Sequence, residues 1–312
     1  MAADLMGVIL AAGDGVRMEP FSRELPKPLL PVLGRPVVEH QLALLRTLGV
    51  EDVVIVVGRA GEAIEAALAE RAPEGLRLRY VEQAAPRGIA HAVGVTEPLV
   101  DRPFVLLLGD IFLRTRAPER LRAMHAEGHA AVLAATEEDD PEKIRRNFAI
   151  VTGPDGAVRR VIEKPRHPPT RLKGCGLYLF DLPFFDAIRR TPRSALRDEF
   201  ELTDAIQIFI DDGHRVGVAD IVEDDVNLTH PRDLWERNLR ELARAGWERW
   251  VDPTARVHPE ATLRRAVVGP GARIGPVRVE DALVFGGAEL REDAVRCVVT
   301  PGGRVTFEED PT

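Results

Sequence analysis

Arg17 and Lys27 stand ten residues apart behind the glycine turn of "AAGDGVRM", which follows directly on the apolar run "LMGVIL". A strand that breaks into a glycine loop offers bare backbone N–H groups that can wrap a phosphate. An arginine adds a planar fork for two oxygens, and a lysine adds a compact point charge. Together these three kinds of donor suit a polyphosphate. Two commoner phosphate loops do not fit. The dinucleotide pattern G-x-G-x-x-G needs a third glycine where Met18 stands, and no G-x-x-x-x-G-K-[ST] occurs. A tight turn without a ligand is the plain alternative. Farther on, Asp110 closes the run "FVLLLGD". A carboxylate at the C-terminal edge of a parallel strand lies where open α/β sheets bind ligands. As a hard oxygen ligand it suits Mg2+ shared with phosphates; as a structural group it would be an N-cap.

Lysine usage sharpens these candidates. Of 42 basic residues only four are lysines: Lys27, Lys143, Lys164 and Lys173. A chain that uses arginine almost everywhere keeps lysine where a compact ammonium fits and a guanidinium does not.

The elements that must position these groups alternate as far as about residue 220. "LMGVILAAG", "DVVIVVG" and "PFVLLLGD" read as buried strands, separated by helical "RPVVEHQLALLRTLG", which ends on Gly49, and "EAIEAALAERA". Such alternation predicts a Rossmann-like α/β fold, with a mixed, mostly parallel sheet covered by helices on both faces. "AIVTG", "AVRRVIEKP" and "GCGLYLFD" add shorter strands near a ligand cleft, and "ELTDAIQIFIDDG" and "PRDLWERNLRELARAG" are helices. Beyond about residue 250 apolar pairs recur roughly every six residues with Gly and Pro at the corners. This predicts a catalytic domain over 1–250 and a short left-handed β-helix over 251–312, with an irregular cap as the alternative.

Bulk properties narrow the class. The chain has 312 residues and a net charge of −8, which argues against a general nucleic-acid binder. No apolar run reaches the length of a membrane span. Asp4 stands where an export signal would carry positive charge, and Cys175 and Cys297 form no CxxC. The expectation is a cytoplasmic protein with two reduced thiols.

"LAAGDGVRMEPFSRELPKPLLPVLGRPVVEH" resembles the signature of the sugar-phosphate nucleotidyltransferases: strand, glycine loop, Arg, Pro, Lys-Pro. "LLLGDI", "VIEKP", "GCGLYLFD" with "RDEFELTDAI", and "DDVNLTHPRDLWERN" resemble four further motifs of that family, in order. The similarity is greatest to thymidylyl- and uridylyltransferases acting on glucose 1-phosphate, in the longer form with a β-helical tail. The resemblance implies a Mg2+-dependent homo-oligomeric enzyme. In it a sugar 1-phosphate attacks the α-phosphorus of dTTP or UTP in line and pyrophosphate leaves, with positioning and electrostatics carrying the catalysis.

It also implies roles for single residues. Leu10, Ala12 and Gly13 would hold the nucleoside, and Asp14, Gly15 and Val16 would turn under the phosphates. Arg17 would hold the β- and γ-phosphates and Lys27 the α-phosphate, while Gln83 and Gly88 would read a pyrimidine edge. Asp110 would hold the metal with Asp225 or Asn227, Asp225 being preferred. Glu163 would hold sugar hydroxyls and Lys164 the sugar phosphate, with Ala149, Gly174 and Tyr178 beside the sugar. The chain departs from the pattern at Val16, often Thr, at Phe148-Ala149, often Tyr-Gly, and at Ile111, commonly Asn. These departures bear on substrate identity. The rival readings are a non-catalytic regulatory or binding subunit on the same fold, and a guanylyl- or cytidylyltransferase.

Overall fold

A computed structural model describes residues 4–23, 25–195 and 198–308. Glu24 and Arg197, inside two of the motifs quoted above, lie outside the described residues. The chain divides into two units, residues 1–13 with 38–225, and residues 14–37 with 226–312. The segment 14–37 leaves the sheet and joins the C-terminal unit, because its packing partners lie there.

The first unit is built on a nine-stranded sheet. Its strands are β1 (Met6–Ala11), β2 (Asp52–Val57), β3 (Arg77–Glu82), β4 (Phe104–Leu108), β5 (Ala131–Glu137), β6 (Phe148–Thr152), β7 (Val158–Glu163), β8 (Leu172–Phe180) and β9 (Val216–Asp220). The order is β7-β6-β8-β4-β1-β2-β3, with β5 beside β8 and β9 beyond β5. One half, β4-β1-β2-β3, is parallel. The other half is joined on by β8, which runs antiparallel to β4, β5 and β6. The helices are α1 (Val37–Thr47), α2 (Gly61–Arg71), α3 (Ile89–Gly94), α4 (Arg120–Ala126), α5 (Pro141–Arg145), α6 (Phe184–Arg190) and α7 (Leu202–Asp211).

Both faces of the inner parallel strands β4, β1 and β2 are covered, which is why they read as apolar runs, while the edge strand β3 is polar and partly exposed. Met6 and Val8 of β1 face a core shared with Val93 of α3, Phe184 of α6 and Phe209 of α7. Gly7, pointing the opposite way by the two-residue period, lies under α1: a Cβ there would be 2.7 Å from Leu45 Cδ1. Cys175 and Cys297 are both buried free thiols. Among the described residues no helix is long and apolar enough to cross a membrane.

In the second unit, α8 (Pro231–Arg244) opens with a capping box: Asp233 accepts from the N–H groups of Thr229 and His230, 2.9 and 2.7 Å. The tail then folds into two sheets whose strands pair in parallel with the strand about sixteen residues on, as Thr262 with Arg278 and Arg273 with Glu289. A final antiparallel strand, Gly303–Thr306, closes the larger sheet. Arg265, Asp281 and Arg296 all have left-handed φ, 46°, 47° and 46°. Each bends its strand at the same point of the repeat, and Ala266, Val268, Val279, Ala282, Val284, Cys297 and Val299 fill the interior.

Candidate active site

In the first unit the parallel strands end together at residues that must lie very close. Gly109 N–H donates to Leu10 O at 2.9 Å, and a Cβ on Gly109 would stand 2.5 Å from that oxygen. A Cβ on Gly58 would stand 2.6 Å from Ala12 O. Glycine at both positions lets the chain around Leu10, Ala12 and Gly13 run between its neighbours, leaving Gly13 exposed. Asp110 follows Gly109, half-buried at the end of β4.

The turn that carries Asp110 has a clamp that no motif announces. Gln41 of α1 is buried, and its Nε2 donates to Leu108 O at 2.8 Å and Ile111 O at 2.9 Å. The signal available in sequence was a polar residue on the apolar side of "VVEHQLALL". Gln41→Leu is expected to cost about 1–3 kcal/mol, because two buried carbonyls lose their donor. Turnover should fall with it as Asp110 loses its fixed position. Thermal melts alongside steady-state rates check this.

Gln83 and Gly88 meet in a second loop. Gly88 has φ 106°, and a Cβ there would stand 2.6 Å from both N and O of Phe200. Only glycine allows that approach. Gln83 is buried, and its Nε2 lies 3.3 Å from Gly88 O and 2.9 Å from His91 Nδ1. Burial, helped by the nearby Arg87 charge, lowers the His91 pKa and favours the neutral ring. Nδ1 then accepts and both Gln83 N–H groups are used, which leaves the side-chain oxygen of Gln83 as an acceptor.

On the other half of the sheet, Glu163 ends β7 and Lys164 follows with a left-handed φ of 43°. In a straight strand adjacent side chains point to opposite faces. The left-handed residue breaks that alternation, and Lys164 Nζ comes to 3.9 Å from Glu163 Oε1. A lysine held in this region is strained, and such strain concentrates at working sites. Thr203 Oγ1 donates to the other oxygen of Glu163 at 3.4 Å.

Two residues named for the sugar side are buried. Tyr178 is buried, stacked between Phe148 and Phe180 with ring centroids 6.2 and 5.6 Å away, and burial pushes its phenol pKa far up. Ala149 is fully buried in β6. Both are core residues, since the antiparallel half needs apolar side chains on that face as much as the parallel half does. Gly174 is explained by the same packing: a Cβ there would stand 1.9 Å from Phe148 Cζ. The Phe148 ring fills the space above the glycine.

The preferred second metal carboxylate is already engaged. Asp225 Oδ1 lies 2.6 Å from Lys173 Nζ, both side chains are 4% exposed, and Glu138 stands 3.9 Å from the same ammonium. Burial works against the Lys173 charge, but Asp225, Cys175 and Glu138 together outweigh it and raise the lysine pKa. Cys175, beside them, is pushed well up by burial and then by the Asp225 charge. Lys173 was singled out in sequence only as a rare lysine; its partner, 52 residues away, was not legible there. Asn227 lies past Asp225 in the second unit. Among the described residues no three His, Cys, Asp or Glu side chains cluster as a metal cage. To hold a metal, Asp225 would have to leave Lys173 or share it.

The phosphate-loop candidates lie in the second unit. Gly15 has φ 67° and caps a short 3-10 turn, Val16–Met18, with Met18 N–H donating to Gly15 O at 2.8 Å. Asp14, Val16 and Arg17 are exposed, and Met18 anchors the turn in the interior. Lys27 opens another 3-10 turn and is buried, 7% exposed. Its side chain runs along the glycine turn, since a Cβ on Gly15 would touch Lys27 Cγ at 3.0 Å and Cε at 3.4 Å. The Gly15 turn and the Lys27 stem thus lie side by side.

Residues 6–251 match the family described as "Nucleotidyl transferase". The chain is 34% identical over 238 residues to a low-salt glycan biosynthesis nucleotidyltransferase of Haloferax volcanii, covering 75% of this chain and 65% of that protein. It is 30% identical over 324 residues to a glucose-1-phosphate thymidylyltransferase of Streptomyces antibioticus, covering 98% of this chain and 85% of the relative. A solved UDP-glucose pyrophosphorylase complexed with UDP-glucose superposes with a TM-score of 0.69 at 20% identity. That match covers 77% of this chain and 99% of the other, and it supports the fold.

Proposed function

This chain belongs to the nucleotidyl transferase family, and from that membership we propose that it joins an NTP, dTTP or UTP, to glucose 1-phosphate or a similar sugar 1-phosphate, giving an NDP-sugar and pyrophosphate. The observation that carries the reading is the buried Lys27 side chain, whose stem lies along the left-handed Gly15 turn. An ammonium there adds a compact point charge to a turn whose backbone N–H groups suit the same kind of ligand.

The sugar phosphate attacks the α-phosphorus in line. Arg17 holds the departing pyrophosphate oxygens, Lys27 meets the non-bridging α-oxygen where charge builds, and Lys164 with Glu163 orients the sugar phosphate. Magnesium held at Asp110 would supply neutralisation of the phosphate charge. Every other contribution is placement of anions against fixed cations. The repeat in the tail supports a left-handed β-helix, and such a tail suits a homo-oligomer. Pyrophosphate release across a panel of NTPs and sugar 1-phosphates tests the reaction; no release with any pair would overturn it.

The base is read by the oxygen left on Gln83. An acceptor there suits the N3–H of thymine or uracil and opposes the N3 acceptor of cytosine, so dTTP or UTP should exceed CTP in kcat/KM. The arrangement needs neutral His91. Because the folded-state pKa of His91 is lowered, the neutral ring persists at and above the ordinary histidine range. Its contribution to stability is likewise present there, and both are lost as pH falls through the lowered value. Protonated Nδ1 would become a donor facing the Gln83 amide. The preference for dTTP or UTP over CTP is therefore expected to shrink on the acid side, and Gln83→Leu to remove that pH dependence. Selectivity measured against pH for both proteins decides; a pH-independent preference in the wild type would refute it.

A further inference from the structure

The segment 14–37 carries both phosphate-loop cations on short 3-10 turns and a two-residue hairpin, Pro31–Val32 with Arg35–Pro36. Such elements have too few bonds of their own to hold a geometry. Leu33 and Gly34, the hairpin turn, both have left-handed φ, 47° and 71°. For glycine this is free, but for a branched apolar residue it persists only where the surroundings impose it.

What imposes it comes from the C-terminal part of the same unit. Asn238 on α8 is fully buried and uses both of its polar side-chain atoms, in three hydrogen bonds. Its Oδ1 accepts from Leu33 N–H at 2.8 Å, and its Nδ2 donates to Pro31 O at 2.9 Å and to Leu234 O at 2.9 Å. One side chain thus brackets the strained turn and ties it to its own helix. Trp250 is seated on the next residue, since a Cβ on Gly34 would stand 1.9 Å from Trp250 Cη2. Nearer the glycine turn, the Phe21 ring meets Phe285 of the tail at 5.5 Å between centroids. Phe21 is fully buried and lies between Arg17 and Lys27 in the chain. The three contacts hold the segment before and after Lys27.

We propose that Asn238, Trp250 and Phe285 are positioning residues for Arg17 and Lys27, so that the tail is part of the nucleotidyl-transfer machinery and not an appendage to it. The proposal rests on the functional reading of the loop given above. None of the three need touch substrate; they act through the backbone that carries the two cations.

The test uses full-length Asn238→Leu and Phe285→Ala proteins, with hydrogen exchange followed over residues 14–37. Pyrophosphate release is measured at saturating and limiting substrate. Exchange over 27–33 is expected to quicken at least tenfold in Asn238→Leu, with exchange in β1, β2 and β4 unchanged. The kcat of both variants should fall at least tenfold, while KM for the sugar 1-phosphate stays within about twofold, because Glu163 and Lys164 belong to the other unit. A purely structural role would lower the melting temperature and leave kcat of the folded protein intact. Wild-type kcat, or unchanged loop exchange, in folded variants overturns the proposal; should Asn238→Leu not fold, Phe285→Ala decides alone. Absence of pyrophosphate release by the wild type would instead overturn the functional reading, and the exchange comparison would still decide whether the clamp exists.

Discussion

Lys27→Ala is expected to lower kcat about a hundredfold or more, while KM for the NTP changes far less. The Lys27 side chain is buried with its stem along the Gly15 turn, where a charge on the transferring phosphate would be poorly screened by water. If its contact tightens as charge develops on the α-phosphate, its removal is felt in the transition state more than in the bound substrate. The loss of one such donor costs on the order of 3 kcal/mol. Lys27→Arg keeps the charge but brings a wide planar fork into a space where the lysine stem already lies against Gly15. It is expected to recover only part of the loss. Steady-state rates of both variants, with circular dichroism to verify folding, check this. A near-normal kcat in Lys27→Ala would reduce Lys27 to a buried structural cation.

Asp110→Asn is expected to remove nearly all activity, and excess chelator to do the same to the wild type, with Mg2+ or Mn2+ restoring it. Two phosphorylated substrates cannot be aligned without neutralising their charge. Asp110 is the carboxylate that the sheet presents half-exposed at the end of β4, with Gln41 fixing its turn. Asp225 is held by Lys173. The two aspartates are therefore expected to differ in kind. Asp225→Asn should lower stability as well as activity, since it leaves the buried Lys173 short of its counter-charge. Asp110→Asn keeps the side-chain shape at a half-exposed position, so its melting temperature should change less. Activity with and without chelator, set beside thermal melts of the two variants, separates these roles. Full turnover in chelator would refute the dependence on metal.

Local spacing made much of the site legible. The strand ends, the Gly15 turn, the Lys-Pro pair and the Glu163-Lys164 pair are arrangements of a few neighbouring residues. Their geometry is set by steric limits on glycine and proline and by the two-residue period of strands. The covered parallel sheet was legible for the same reason: an apolar run without alternation can only be buried on both sides. Lysine scarcity pointed to Lys27, Lys164 and Lys173 without saying what each would meet.

Contacts between distant segments decided the rest. Whether Tyr178 faced a ligand or the core depended on Phe148 stacking over it from another strand. Whether Asp225 was offered to a metal depended on Lys173, 52 residues away. The grouping of residues 14–37 with the tail depended on Asn238, more than two hundred residues along the chain. A composition pattern carries the propensity of a segment but not the identity of the partner that arrives from elsewhere. An asparagine in the middle of a helix reads as a weak helix former. Only tertiary packing, by burying it against Leu33 N–H and Pro31 O of the hairpin, ties it to the segment that carries Lys27.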